Sequence, residues 1–203
     1  SPSYLNLSRA SPCFGGFDPG QGLPTADLGL LLDVDVPWLP KFTQENPDTR
    51  WVHIDVDPIK KDFPMWGFAT DMRIQADCAT VLTQIIGHVR AMLTPTHVSH
   101  IASRMAALEI DKKNRSEKLT QIASDPGKNG AISTAYLLST LGAALAPHDI
   151  VINEAIRNAP QLLNHLHRTE PMTLLGSAGG GLGYSGGIAL GVKLARPEAR
   201  VVQ

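Results

Sequence analysis

Two short apolar segments, each ending in acidic residues and followed by a proline, most constrain how this chain can fold. They run over 26–36 and 50–57. Segments this short that are apolar almost throughout are typical of strands buried on both faces of a parallel sheet. A third strand is predicted over 74–77, and the helical spacing of apolar residues after it predicts a helix over 79–93. The predicted class is therefore α/β, with parallel sheets and flanking helices.

The C-terminal part of the chain repeats the alternation of strand and helix. Ser133 is a predicted N-cap for a helix over 134–145, and a strand over 149–153 follows it. A further helix is predicted from Pro160, and another after the glycine-rich segment, running to Arg196. This order favours a second parallel sheet with its own helices.

A change of composition divides the two regions. Residues 95–130 combine a charged helical surface with an Asp-Pro-Gly turn, which is typical of a connection containing a solvated helix. We therefore predict one domain portion over 1–94, a linker over 95–130 and an incomplete second domain over 131–203. Because the sequence starts without methionine and stops in an apolar strand pattern, we expect it to be a piece of a larger protein.

Composition excludes several classes of function. The 203 residues are 43% apolar and 18% charged, with a net charge of -1, so no electrostatic argument favours a nucleic-acid or membrane partner. No apolar run reaches the roughly 20 residues of a membrane-spanning helix, and we expect a cytoplasmic protein. Cys13 and Cys78 are far apart in the sequence, which predicts two buried reduced thiols rather than a disulfide or metal pair.

The clearest functional signal is a glycine-rich segment before the last helix. Five glycines lie between Gly176 and Gly183. Glycine clustered before a helix indicates a backbone with positive φ or a close approach by a ligand, and the free N–H groups of the first helical turn favour an anion. Asn153 and Glu154 follow a strand, at the edge where α/β sheets bind ligands. These residues predict a phosphate or cofactor loop; the alternative is a tight turn before a closely packed helix.

In two regions the sequence resembles thiamine-diphosphate-dependent enzymes of the acetolactate synthase and benzoylformate decarboxylase type. The first comprises 26–38 and 51–58, which resemble the second half of the central domain in that family. The second comprises 151–155, 180–184 and 188–197, which resemble the beginning of the diphosphate-binding domain. The resemblance implies a Rossmann-like central-domain portion joined to the first part of a thiamine-diphosphate-binding domain.

The resemblance also implies roles for particular residues. The candidate contacts of the diphosphate are Asn153, Glu154, Arg157 and Asn158. The candidate contacts of the aminopyrimidine are Gly180, Gly181, Leu182 and Gly183. Leu182 stands where the family has a bulky apolar side chain that holds the cofactor in its bent shape. Alternative interpretations stay open: a core leucine for Leu182, a surface acid for Glu154 and a solvent-facing side chain for Arg157.

The resemblance implies that other parts of the site lie outside this sequence. The Mg²⁺ that bridges the diphosphate to the protein would be bound by a Gly-Asp-Gly motif expected just after Val202, so we assign no metal or catalytic residue here. The complete protein would be a homodimer or homotetramer acting on a small 2-oxo acid as a decarboxylase or carboligase, and this chain alone would be inactive. The alternatives are a non-catalytic α/β binding or scaffolding subunit and an unrelated nucleotide-binding α/β protein.

Acidic pairs at the ends of the first two strands form a second candidate site. Asp33 with Asp35, and Asp55 with Asp57, resemble metal or ribose ligands at strand ends. No glycine motif of the GxGxxG type precedes either pair, so solvated strand ends are favoured, while a vestigial flavin or nucleotide pocket stays open. His53, inside an apolar strand, is predicted to be a core histidine.

Overall fold

The computed structural model describes residues 7–63, 68–176 and 181–203, and its α/β architecture confirms the predicted fold class. The described residues pack as two compact units, one of residues 18–102 and one of residues 7–17 with 103–203. The domain limits predicted from composition stay a prediction, because a division by packing does not test them. None of the described helices combines the length and apolar character needed to cross a bilayer.

The 18–102 unit contains a three-stranded parallel sheet. Its strands are β1 (Leu28–Leu32), β2 (Arg50–Asp55) and β3 (Met72–Gln75), in the order β1-β2-β3. The three predicted strands are thus confirmed. Helix α1 (Cys78–Met92) confirms the predicted helix. It begins at Asp77, whose carboxylate accepts a hydrogen bond from the Thr80 N–H at 2.7 Å, as expected of an N-cap.

The two faces of β2 are buried by different partners. On one face Ile54 packs with Cys78 and Val81 of α1. On the other face Trp51 packs with Trp38, their ring centroids 4.9 Å apart, together with Leu31. Because side chains alternate along a strand, burial on both faces explains why this segment is almost wholly apolar.

Gly29 of β1 lies directly under the indole ring of Trp51. A Cβ at position 29 would be 1.8 Å from Trp51 Cζ3, so we expect Gly29→Ala to lower the free energy of unfolding by about 1–3 kcal/mol through overpacking. Gly87 of α1 is the control, since a Cβ there meets nothing within 4 Å. Gly87→Ala is expected to raise stability by up to about 1 kcal/mol through helix propensity. Urea denaturation of both variants checks the opposite signs; equal effects would contradict this packing.

The second unit also has a three-stranded parallel sheet, with the order β5-β4-β6. In chain order its elements are α3 (Thr134–Ala144), β4 (Ile150–Asn153), α4 (Ala159–His165), β5 (Leu174–Gly176), α5 (Tyr184–Ala195) and β6 (Val201–Val202). Each of these was predicted except β5, whose three residues directly precede the glycines. Ser133 caps α3 as predicted, because its hydroxyl accepts a hydrogen bond from the Tyr136 N–H.

Helices cover both faces of the central strand β4. Val151 packs against α3 and α4 in a cluster with Leu138 and Leu163. Ile150 and Ile152 point to the other face, where α5 packs. This layered arrangement fixes α5 against the sheet, so the segment that begins α5 lies at the carboxyl end of β4.

Helix α2 (Pro95–Ala123) contains no buried residue, consistent with the charged surface predicted for it. The N-terminal segment packs along its later turns through side chain to backbone hydrogen bonds. Lys112 Nζ donates to the Ala10 carbonyl at 2.5 Å, and an Arg115 nitrogen donates to the Phe14 carbonyl at 2.6 Å. Basic side chains of α2 therefore hold this segment.

The two cysteines are free thiols that differ in burial. Cys78 is buried, as predicted, and burial raises the pKa of its thiol to about 11. The prediction that Cys13 is buried is wrong, because the N-terminal segment lies on the surface of α2 and leaves this side chain exposed.

Candidate functional site

The carboxyl end of β4 turns sharply and brings its side chains to the start of α5. The Asn153 Oδ1 accepts a hydrogen bond from the Ala155 N–H at 2.9 Å, which closes a local turn. The Asn153 carbonyl in turn accepts a hydrogen bond from the Tyr184 hydroxyl. The end of the strand and the first residue of α5 are thus joined directly.

Glu154 makes the strongest connection between the strand end and the glycine-rich segment. Its carboxylate accepts hydrogen bonds from the Gly183 N–H, from the Ser185 hydroxyl and, at 3.2 Å, from the Ser185 N–H. The Ser185 hydroxyl and the Gly183 N–H hold the pKa of Glu154 below its ordinary value. The structure therefore does not support the alternative of an unengaged surface acid.

These contacts revise the expectation that the first turn of α5 is free to take a ligand anion. Gly183 and Ser185 already direct their N–H groups at the Glu154 carboxylate, which supplies a negative charge at the helix N-terminus. The anion at this helix end is therefore a side chain of the protein itself.

The positive φ predicted for the glycine-rich segment is found at Gly183. This residue is the N-cap of α5 and has φ +87, a conformation that favours glycine. A Cβ at Gly181 would meet nothing within 4 Å, so no close approach by the described residues requires a glycine there. Gly180 lies outside the described residues.

Leu182 is 75% exposed, so the alternative of a core leucine is wrong. Leucine side chains are usually buried, and this one is exposed directly before the N-cap of α5. Its place at the carboxyl edge of the sheet makes it available to a ligand, beside the Glu154 contact described above.

Arg157 and Asn158 lie beyond the turn and are exposed. Asn158 is the N-cap of α4, but its side chain makes no capping hydrogen bond. The guanidinium of Arg157 has no hydrogen-bond or ion-pair partner among the residues that the structure describes. The structure therefore brings Asn153 and Glu154 together with Gly183. The side chains of Arg157 and Asn158, a few residues later, take no part in these contacts.

Sequence analysis did not assign roles to Tyr184 and Ser185. Both bind the strand end, and Ser185 is fully buried. Their roles could have been predicted from their position, because both lie in the first turn of the helix that follows Gly183. In a parallel sheet this turn lies near the end of the neighbouring strand, where Glu154 stands.

In the acidic pairs of the other unit, Asp33, Asp35 and Asp57 are exposed, as favoured, and Asp55 is the exception. Asp55 is only 2% exposed, and its Oδ2 lies 2.8 Å from Lys60 Nζ, which also lies 2.9 Å from Asp35 Oδ1. His53 is fully buried beside it, which confirms a core histidine. A lysine five positions after Asp55 was the signal for this ion pair. The Asp55 carboxylate therefore forms an ion pair inside the protein.

No three His, Cys, Asp or Glu side chains converge on a possible metal position within 7–63, 68–176 and 181–203. The polar groups that the described residues gather at the end of β4 are one carboxylate, one amide, the hydroxyl groups of Tyr184 and Ser185, and backbone N–H groups. This set can orient a loop and a ligand, and it leaves proton transfer and metal binding unassigned.

Comparison with known proteins finds a curated relative and solved structures that are similar over most of the chain. It is 24% identical over 162 residues to an acetolactate synthase of Mycobacterium leprae, an alignment that covers 79% of this chain and 24% of that protein. No family model matches the sequence.

The fold is similar to that of a solved thiamine diphosphate-dependent 4-hydroxybenzoylformate decarboxylase of Rhodococcus jostii RHA1. The TM-score is 0.65 at 17% sequence identity, over 98% of this chain and 35% of that chain. The chain thus spans about a quarter of the curated relative and about a third of the structural one. The sequence likeness confirms the resemblance to acetolactate synthase, and the structural likeness confirms the α/β fold.

Proposed function

We propose that this chain forms part of a thiamine-diphosphate-dependent enzyme that breaks or forms the bond next to the carbonyl of a 2-oxo acid, as an acetolactate synthase-like decarboxylase or carboligase. The observation that carries the proposal is the Glu154 carboxylate, which binds the N–H groups of Gly183 and Ser185 and so holds the residue next to Leu182 against the end of β4. The sequence likeness to an acetolactate synthase supports the same function.

The exposed residues at this edge suit the cofactor. Leu182 offers an apolar surface against which a bent cofactor can rest without competing hydrogen bonds. Arg157 offers an unpaired guanidinium, which binds phosphate oxygens in a bidentate manner, and Asn158 adds an amide. Thiamine diphosphate supplies the carbanion chemistry when bound, and these residues supply position and polarity.

Glu154 contributes differently from its neighbours. A carboxylate repels a diphosphate, and this one is already engaged by the N-terminus of α5. We therefore propose that Glu154 holds Gly183, and with it Leu182, against the end of β4. Asn153 stabilises the turn at this strand end through its hydrogen bond from the Ala155 N–H.

The proposal also includes a metal ion and an assembly of the complete protein. Mg²⁺ would bridge the diphosphate to oxygen ligands that this chain's assigned residues do not include, and the complete protein would assemble as a homodimer or homotetramer. The residues assigned here have positioning roles and no proton-transfer role, so the chain by itself is expected not to catalyse.

Leu182→Ala tests the site with Leu190→Ala as the matched control. Leu190 is a similarly exposed leucine, at 71% against 75%, within α5. With millimolar thiamine diphosphate and Mg²⁺, we expect shifts in the backbone amide NMR signals over 153–158 and 181–185 of the wild-type chain. Leu182→Ala should weaken this binding about tenfold through lost apolar contact, and Leu190→Ala should leave it unchanged.

Two outcomes would contradict the proposed function. Tighter binding of ATP or NAD at these amides would favour an unrelated nucleotide-binding protein. No shift with any of the three ligands, or an equal loss in both leucine variants, would remove the cofactor from this edge of the sheet.

A further inference from the structure

A basic cleft of about 250 Å³ lies within the unit of residues 7–17 and 103–203, and none of the residues of the proposed cofactor site lines it. The N-terminal segment, α2 and α4 with the residues after it form its walls. Four basic side chains line it: Arg9, Lys112, Arg115 and His167. Basic groups from three separate stretches of the chain therefore converge on one opening.

The charges of this cleft are not neutralised by the residues that the structure describes around it. No Asp or Glu within those residues lines the cleft. The hydrogen bonds of Arg9, Lys112 and Arg115 go to backbone carbonyls, which carry no net charge. The rings of Phe14 and Phe17, 5.8 Å and 4.9 Å from the Arg9 guanidinium, offset part of its charge, but they carry no net charge themselves. Like charges gathered at one place repel each other, so an anion placed there relieves the repulsion that remains.

Arg9 supplies an independent sign of an absent partner. Its Nε is buried and has no hydrogen-bond partner among the described residues. A buried donor without an acceptor is rare and costly in folded proteins. Burial lowers the pKa of this guanidinium to about 10, and burial together with the nearby Arg9 charge lowers the pKa of His167. An anion in the cleft would oppose these effects.

The rest of the wall is apolar. Phe14, Leu119 and Leu163 line the cleft beside the basic groups. The size of the cleft is below the roughly 300–1,000 Å³ of pockets for drug-sized ligands. A suitable ligand is therefore small, with one anionic end and an apolar body.

We propose that this cleft is a binding site for a small organic anion, with a carboxylate or phosphate head group facing Arg9, Lys112 and Arg115 and an apolar body against Phe14 and Leu163. The site shares no residue with the proposed cofactor site, so each can be tested without the other.

The experiment titrates the full chain with benzoate and with phenyl phosphate, using calorimetry together with NMR of the histidine rings. Benzamide is the uncharged control, and inorganic phosphate is the control without an apolar body. We expect both organic anions to bind, more weakly at higher salt, and to raise the pKa of His167. The tighter of the two identifies the preferred head group, while benzamide should not bind.

Lys112→Gln tests the charge, with Lys113→Gln as the matched control. Lys113 is the next residue of α2 and is exposed outside the cleft, where it pairs with Glu117. We expect Lys112→Gln to weaken binding about tenfold and Lys113→Gln to leave it unchanged. His167→Gln, which removes no backbone contact of the N-terminal segment, should also weaken it.

Several results would overturn the proposal. They are an absence of binding by both organic anions, equal weakening by the two lysine variants, an unchanged pKa of His167 on binding, and inorganic phosphate binding as tightly as phenyl phosphate. The last would mean that the apolar wall contributes nothing.

Discussion

Replacing Lys60 with methionine is expected to lower the free energy of unfolding of the 18–102 unit by about 3–5 kcal/mol, because it leaves a buried carboxylate without its counter-charge. Lys60 Nζ lies 2.8 Å from Asp55 Oδ2 and 2.9 Å from Asp35 Oδ1. Asp35 is exposed and can be hydrated, but Asp55 is buried beside His53. The loss therefore arises mainly from the charge of Asp55.

Lys61→Met is the control for this substitution. Lys61 is exposed, so the same change one residue later is expected to alter stability by no more than about 0.5 kcal/mol. Urea denaturation followed by the fluorescence of Trp38 and Trp51, which are buried in the same unit, measures both variants. Equal effects of the two lysine substitutions would show that the ion pair contributes nothing.

The pH dependence of the wild type gives a second measure of the ion pair. Burial alone raises the pKa of Asp55, but the hydrogen bond from Lys60, the hydrogen bond from the Asp57 N–H and the charge of Lys60 together outweigh burial and hold this pKa below its ordinary value. A depressed carboxyl pKa contributes stability above the unfolded-state pKa, and this stability is lost as the pH falls through the folded-state pKa. The difference between the wild type and Lys60→Met should therefore shrink at acidic pH; a difference that grows on acidification would contradict this assignment.

The elements that sequence analysis predicted well are those whose local pattern agrees with their burial. Strand β2 is apolar on both faces because Ile54 and Trp51 pack against different neighbours. Helix α3 was predicted because its apolar residues recur at helical spacing and Ser133 is a suitable N-cap. Strand β5 was not predicted because its three residues, Leu174–Gly176, are too short to show alternation and merge with the glycines.

Prediction of the candidate site from sequence was limited by contacts between distant residues. A strained glycine before α5 could be expected from composition, and Gly183 has that conformation. No pattern in one segment shows that Glu154 binds Ser185, since 31 residues separate them. The favoured assignment of Asp55 as solvated failed for the same reason, because its burial depends on how β2 packs and on Lys60.

Arg168→Met is expected to lower the free energy of unfolding of the unit that contains 103–203 by about 2–4 kcal/mol, since it leaves several carbonyls without a donor. Arg168 is only 3% exposed and follows α4. Its guanidinium donates to the carbonyls of Ala146 at 2.9 Å and Pro147 at 2.6 Å, and also to that of Asp149. One side chain thus satisfies the backbone of the connection between α3 and β4.

Arg196→Met is the control because Arg196 is exposed and its ion pair with Glu198 is at the surface, so a change of at most about 1 kcal/mol is expected. Arg168→Lys tests the reach of the side chain: all three carbonyls are bound by one guanidinium nitrogen, Nη2, and the lysine ammonium keeps the charge but ends about one bond short of that position. We expect it to restore only part of the lost stability in thermal and urea denaturation. Full restoration by lysine would contradict this geometry, because it would mean that the longer side chain of arginine is not needed to hold the connection before β4.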